Sequence, residues 1–135
     1  NHDGYVFKYD LSMKVTELYN TVEALRNHIN SHPDQESASE IVRLNGYGHI
    51  GDGNLHINCS TKKYHAGVEK ILEPFIYHHV SSIGGSVSAE HGLGFKKPKY
   101  IYLSKPENSV EIMKDIKKLL DPKGVMNPYK VLPDN

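Results

Sequence analysis

Between residues 46 and 58 the chain reads Gly46-Tyr47-Gly48-His49-Ile50-Gly51-Asp52-Gly53-Asn54-Leu55-His56-Ile57-Asn58, and no other stretch narrows the fold as sharply. An Asp-Gly pair between alternating segments is a strong hairpin signal. With Asp52 and Gly53 as the central turn residues, Gly51 pairs with Asn54, Ile50 with Leu55, His49 with His56 and Tyr47 with Asn58. Directly opposed residues share a face, with β-carbons ~4.5–5.5 Å apart. Two imidazoles at that spacing can reach one metal ion, with Asn58 beside them. The same register sends Ile50, Leu55 and Ile57 to the other face with Val42 and Leu44, where a core needs them. Gly46, Gly48, Gly51 and Gly53 either serve the turn or let a ligand approach the backbone closely.

Around this hairpin the hydrophobic periodicity alternates between strand and helix. Tyr5, Phe7, Tyr9 and Leu11 alternate with Val6, Lys8 and Asp10, a strand pattern. Val15, Leu18, Val22, Leu25 and Ile29 form the apolar stripe of an amphipathic helix. Residues 30–39 hold Pro33, Asp34, three serines and no apolar residue but Ala38, and read as a loop. Strands follow at Glu40–Ile50 and Asn54–Cys59. The stretch Gly67–Ile83 has helical spacing, with Pro74 expected to kink or restart it and Gly84-Gly85 to stop it. Ser86–Glu90 alternates again, with Val87 and Ala89 inward and Ser86, Ser88 and Glu90 outward. A last helix starts near Pro106 and runs to Asp121-Pro122. Strand, helix, strand, strand, helix, strand is the ferredoxin-like βαββαβ order of an α+β fold: one antiparallel sheet with helices on one face, plus a C-terminal helical segment.

A length of 135 residues suits one domain with a tail, and 38% apolar against 24% charged residues can build a core. Sixteen basic and sixteen acidic side chains cancel, so no global field favours nucleic acid or a membrane surface. No apolar run approaches the ~18 residues of a membrane span, so membrane insertion is not expected. Cys59 is the single cysteine, which excludes an internal disulfide; at the end of its strand it reads as a small buried hydrophobe. The chain opens at Asn1 with no initiator methionine and no signal-like segment, and is expected to be part of a longer protein. Nine lysines from Lys96 to Lys130 form either a solvated basic face or local help for an anion.

Nine histidines is a high count for this length. Besides His49 and His56, His91 follows Glu90 at the end of the last strand, where Gly92 and Gly94 let the chain turn away. His49, His56 and Glu90 make a set of two imidazoles and a carboxylate, which suits a catalytic zinc site and also manganese or iron. Lys8, outward on the first strand, could meet a carboxylate. His28, His32, His65, His78 and His79 have no evident partners and take no role, and His2 belongs to the N-terminal end. No Gly-x-Gly-x-x-Gly follows a strand, and a phosphate loop, Cys-x-x-Cys and the Gly-x-Ser-x-Gly nucleophile turn are missing.

The hairpin motif, then Ser-Ala-Glu90-His91-Gly-Leu-Gly-Phe-Lys and Leu-Asp121-Pro-Lys-Gly-Val-Met-Asn-Pro-Tyr-Lys, resemble the C-terminal region of the FAD-linked oxidases of the vanillyl-alcohol oxidase type. The opening Tyr-Val-Phe-Lys8-Tyr-Asp-Leu-Ser is most similar to the branch of that family acting on D-2-hydroxyglutarate, with D-lactate as the rival substrate. The resemblance implies a D-2-hydroxy acid dehydrogenase that forms 2-oxoglutarate. Its FAD would be bound mainly by an upstream domain, and this piece alone would be inactive. Residues 1–104 would be the substrate-binding cap and residues 105–135 a helical segment returning to the FAD domain. The resemblance assigns metal binding to His49, His56 and Glu90, with zinc ahead of manganese, and substrate contacts to Lys8 and Asn58. It makes His91 the acid/base. An electron-acceptor protein and a mitochondrial matrix location are implied as well. The polar stretch at 30–39 is longer than the family pattern requires and reads as a surface insertion.

Two other readings of the same residues stay open. A ferredoxin-like domain can be a ligand-binding or metal-sensing module, and His49, His56 and Glu90 with a bound water could act as a metal hydrolase.

Overall fold

The computed structural model describes residues 4–133, and His2 lies outside them. Three strands, β1 (Tyr5–Ser12), β2 (Ile41–His49) and β3 (Asn54–Thr61), form one antiparallel sheet in the order β1-β3-β2. Helices α1 (Leu18–Ser31) and α3 (Ala66–Ser82) cover one face, a short α2 (Gln35–Ser39) precedes β2, and α4 (Glu107–Leu120) is followed by an irregular segment. Single 3-10 segments lie at Val15–Glu17 and Pro98–Leu103. The α+β class with helices on one side of an antiparallel sheet therefore stands.

The alternation in β1 is realised, since Phe7, Tyr9 and Leu11 point into a core completed by Leu55, Ile57 and Cys59 of β3. Helix α1 contributes Val22, Leu25 and Ile29, and α3 contributes Val68, Ile71, Leu72, Ile76 and Val80. Gly46 is required by this packing, because a β-carbon there would come within 2.5 Å of the Val22 methyl on α1. Helix α3 runs through Pro74 as one element instead of restarting. A proline removes one backbone donor, and the buried residues on both sides of Pro74 hold the helix in place.

Four expectations are revised. Residues 30–39 are not simply a loop: α1 continues to Ser31, and Asp34 caps α2 by accepting the Ser37 N–H at 3.0 Å. Residues 86–90 do not form a fourth strand, and only Ser12 and Ser86 make an isolated bridge. Ser86 Oγ donates to the Ser88 carbonyl and accepts the Ser88 N–H, so a side chain takes the backbone groups that a ladder needs. Val87 nevertheless points inward and is fully buried. Ile50 is not a core residue; it sits in the turn and is 74% exposed. Val42 is also exposed, because an irregularity between Ile41 and Arg43 shifts it out of the alternation.

Candidate metal and substrate site

The hairpin loop has four residues, Ile50 to Gly53, instead of two. The Asp52 carboxylate accepts the Asn54 N–H at 3.2 Å, and the Gly53 carbonyl accepts the Met13 N–H at 2.9 Å, which draws the turn toward the end of β1. Gly53 has φ +72, and a β-carbon there would collide with the Met13 carbonyl. The longer loop slides β3 by two residues, so His49 pairs with Asn54, Tyr47 with His56 and Asn45 with Asn58. His49 and His56 are thus diagonal neighbours, not opposed ones. Strand side chains repeat every two residues, so a two-residue slide leaves each on its own face. The two imidazoles still meet, with ring centroids 5.3 Å apart. Asn58 still lies by Tyr47, donating to its hydroxyl at 3.4 Å. Gly46 faces α1, Gly48 faces the β3 backbone, and Gly51 and Gly53 form the loop, so these glycines serve packing and turn.

Glu90 arrives from the bend after Val87. Its carboxylate oxygens lie 3.7 Å from His49 Nε2 and 3.9 Å from His56 Nε2. One ligand atom from each of His49, His56 and Glu90 falls within 4.8 Å of the others. The His91 ring stacks on His56 at a centroid separation of 5.7 Å. Lys8 is exposed, opposite Asn58 in the register and one row of the sheet away from His56. The structure therefore gathers His49, His56, Glu90 and His91 directly and ranges Asn58 and Lys8 along the same sheet face. No ion pair to Lys8 occurs among the described residues.

A metal ion fits this donor set. Two neutral imidazoles and one carboxylate suit zinc or another borderline divalent ion. His56 also presents its Nδ1 to the Asp10 carboxylate at 3.4 Å, which leaves Nε2 facing Glu90.

Asp10 is the residue that sequence reasoning missed. The alternation of β1 assigns it to the polar face but not to the interior, yet it is only 1% exposed. Its Oδ2 accepts the N–H groups of Glu90 at 2.6 Å and His91 at 2.7 Å. Burial alone would raise the Asp10 carboxyl. The His91 and Glu90 N–H bonds and the neighbouring imidazoles outweigh it, and the group is held below the usual carboxylate range. Burial pushes the Cys59 thiol up to about 12, consistent with a small inert core residue.

The remaining histidines are structural where the structure shows contacts. His28 lies flat on Phe75 at 4.0 Å with Nε2 3.1 Å from the Ile71 carbonyl, and His79 Nε2 is 3.4 Å from the Thr21 hydroxyl. Among the C-terminal lysines, Lys117 bonds the Asp121 carboxylate and the Met126 carbonyl, so it locks a turn and is not a free anion contact.

The chain is 47% identical over 134 residues to a mitochondrial D-2-hydroxyglutarate dehydrogenase of Danio rerio, covering 99% of this chain and 24% of the relative. It is 48% identical over 130 residues to a mitochondrial D-2-hydroxyglutarate dehydrogenase of Arabidopsis thaliana, covering 96% of this chain and 22% of the relative. A D-2-hydroxyglutarate–pyruvate transhydrogenase of Saccharomyces cerevisiae is 38% identical over 133 residues, covering 98% of this chain and 27% of the relative. The chain thus spans about a quarter of the length of these relatives. The family model described as FAD linked oxidases, C-terminal domain, matches residues 1–131, and the chain belongs to that family.

Proposed function

We propose that this chain is the substrate-binding part of an FAD-dependent D-2-hydroxy acid dehydrogenase that oxidises D-2-hydroxyglutarate to 2-oxoglutarate. The observation that carries the reading is the meeting of His49, His56 and Glu90 beside His91 on one sheet face, in a chain of the FAD linked oxidase family. Relatives named for D-2-hydroxyglutarate at 47% and 48% identity support the substrate, and their names support a mitochondrial location.

In this reading His49, His56 and Glu90 hold a divalent metal ion, zinc in preference to manganese. A metal held there would supply Lewis acidity toward the oxygens of the 2-hydroxy acid, and a flavin bound by another domain would supply the hydride acceptor. His91 lies beside this set, with its ring against His56, and accepts the proton of the 2-hydroxyl group. Its backbone N–H is fixed by Asp10, so the imidazole is carried on an anchored bend instead of a free loop. Lys8 and Asn58, opposed on β1 and β3, supply a cation and an amide further along the sheet, where a distal carboxylate distinguishes hydroxyglutarate from lactate.

Residues 1–104 form the substrate cap and residues 105–135 the segment that returns to a flavin domain. The exposed apolar side of α4 supports this division, since Ile116, Leu119 and Leu120 find little cover. The partners in this reading are the small dicarboxylate, the protein's own FAD domain and an electron-acceptor protein. No helix is long and apolar enough to cross a membrane among the described residues.

Replacing His91 with Ala in the full flavoprotein should lower kcat by about 10²–10⁴-fold with metal content unchanged. Turnover that survives the substitution would place the base elsewhere. Lys8→Ala should raise KM for D-2-hydroxyglutarate more than for D-lactate; an equal rise for both removes Lys8 from recognition of the distal carboxylate.

A further inference from the structure

A carboxylate inside a protein is costly unless its oxygens are bonded or paired. Asp10 stands in the middle of β1, directly opposite His56 in the register. Its Oδ2 takes two N–H groups from the consecutive residues Glu90 and His91. The Ala89 N–H also reaches the Asp10 carbonyl, at 3.4 Å. Its Oδ1 is buried with no hydrogen-bond partner, and His56 Nδ1 lies 3.4 Å away, so a small ring rotation completes that bond. One carboxylate therefore touches three of the residues on which the proposed chemistry depends: His56 through its ring, and Glu90 and His91 through their backbone.

The consequence is tautomeric. A neutral imidazole carries its proton on one nitrogen only. An acceptor at Nδ1 selects the Nδ1–H form and leaves the Nε2 lone pair pointing to the side where Glu90 Oε2 lies, at 3.9 Å. The same carboxylate prevents the bend at 89–91 from pairing as an ordinary strand, and so fixes where the Glu90 and His91 side chains leave the backbone.

We propose that Asp10 is a positioning residue of this site, setting the His56 tautomer and anchoring the Glu90-His91 bend. Its use in catalysis rests on the function proposed above, but the tautomer and the anchoring do not. The competing role is that Asp10 merely pins the bend. Asp10→Asn separates the two. The amide oxygen can still accept the Glu90 and His91 N–H groups, whereas its NH2 group turned to His56 demands an acceptor at Nδ1 and drives the ring proton to Nε2.

The experiment is long-range nitrogen–proton correlation of 15N-histidine-labelled full-length protein, freed of metal at about pH 8, where an ordinary imidazole is neutral. Zinc affinity is measured alongside by competition with a chelator. Wild type is expected to show His56 as the Nδ1–H tautomer. Asp10→Asn should show the Nε2–H tautomer and bind zinc about 10–100-fold more weakly. An unchanged tautomer in a folded Asp10→Asn protein overturns the proposal. If that variant does not fold, wild type decides alone, because an Nε2–H ring there also overturns it. If the tautomer switches but neither protein binds zinc, the positioning role stands and the metal reading falls. If His56→Ala abolishes zinc binding while Asp10→Asn leaves the tautomer unchanged, the metal reading stands and the positioning role falls.

Discussion

The His28 imidazole lies against Phe75 and bonds the Ile71 carbonyl, and its protonation state follows from that seat. Burial lowers its tendency to charge, outweighing the Ile71 carbonyl that favours the charged form, and the nearby His32 lowers it further. The folded chain therefore holds this ring neutral to a lower pH than the unfolded chain, whose histidines take up protons near ~6.5. The unfolded state binds more protons below that point, so the contribution is complete above it and declines as pH falls toward the folded-state value. Denaturation midpoints of wild type and His28→Gln, compared at pH 7.5 and pH 5.5, should show the larger acid loss in wild type. Equal losses would mean that His28 does not contribute to the pH dependence. Histidine identity alone gave no hint that His28 packs against a helix while His49 and His56 stand on the sheet. What separates them is the neighbouring element: α3 for His28, and an open sheet face for the pair.

At the scale of elements the hairpin shows what a sequence pattern conveys and what it omits. Alternation correctly sorted His49, His56 and Asn58 onto one face, because side-chain direction depends only on the two-residue period. The four-residue loop is held by local bonds, the Asp52 N–H to the His49 carbonyl and the Asn54 N–H to the Asp52 carboxylate, and by a distant one, the Met13 N–H to the Gly53 carbonyl, which no local signal announces. The 86–90 segment failed as a strand for a similar reason. Its alternation is real, but Ser86 and Asp10 side chains take backbone groups that pairing would use. The close approach of α1 to β2 makes a direct prediction. Gly46→Ala places a methyl 2.5 Å from Val22 and should destabilise the fold by roughly 1–3 kcal/mol. Val22→Ala in the same chain should recover part of that loss. A double-mutant cycle by chemical denaturation measures it, and strict additivity would show that the two sites do not press on each other.

For the whole molecule the uneven finish of the C-terminal part is the telling feature. The core joins sheet, α1 and α3, whereas α4 buries Val110 and leaves Ile112 at 59% and Leu119 at 79% exposure. A groove of about 670 Å³ runs along it, lined by Met113, Ile116, Leu120, Met126, Val131 and Leu132 among others. Asn127, Tyr129 and Val131 adopt left-handed backbone conformations beside it, which cost of order 1–3 kcal/mol each. An apolar face of this kind marks a surface made to be covered, and the proposed flavin domain is the occupant that the family supplies. Leu119→Asp together with Leu120→Asp should leave the sheet and its packing intact but weaken flavin retention in the full protein. Hydrogen exchange and flavin content measured together test this. Protection of residues 107–120 that is equal with and without the flavin domain would remove the docking role.

The sequence by itself determined the order of most elements, the face of most strand residues apart from Val42, and the resemblance that leads to a flavin-linked oxidase. All three are encoded in local periodicity or in contiguous motifs. It also brought His49 and His56 to one surface, because the face was right even where the register was not, whereas Glu90 joins them from a bend held by Asp10. Only the tertiary structure decided the loop length, the loss of the fourth strand and the interior position of Asp10. Each of those involves backbone groups whose partners are distant in the chain, such as Gly53 with Met13 and Glu90 with Asp10. A periodic pattern states which way a side chain points, but not what will be standing there when the chain has folded.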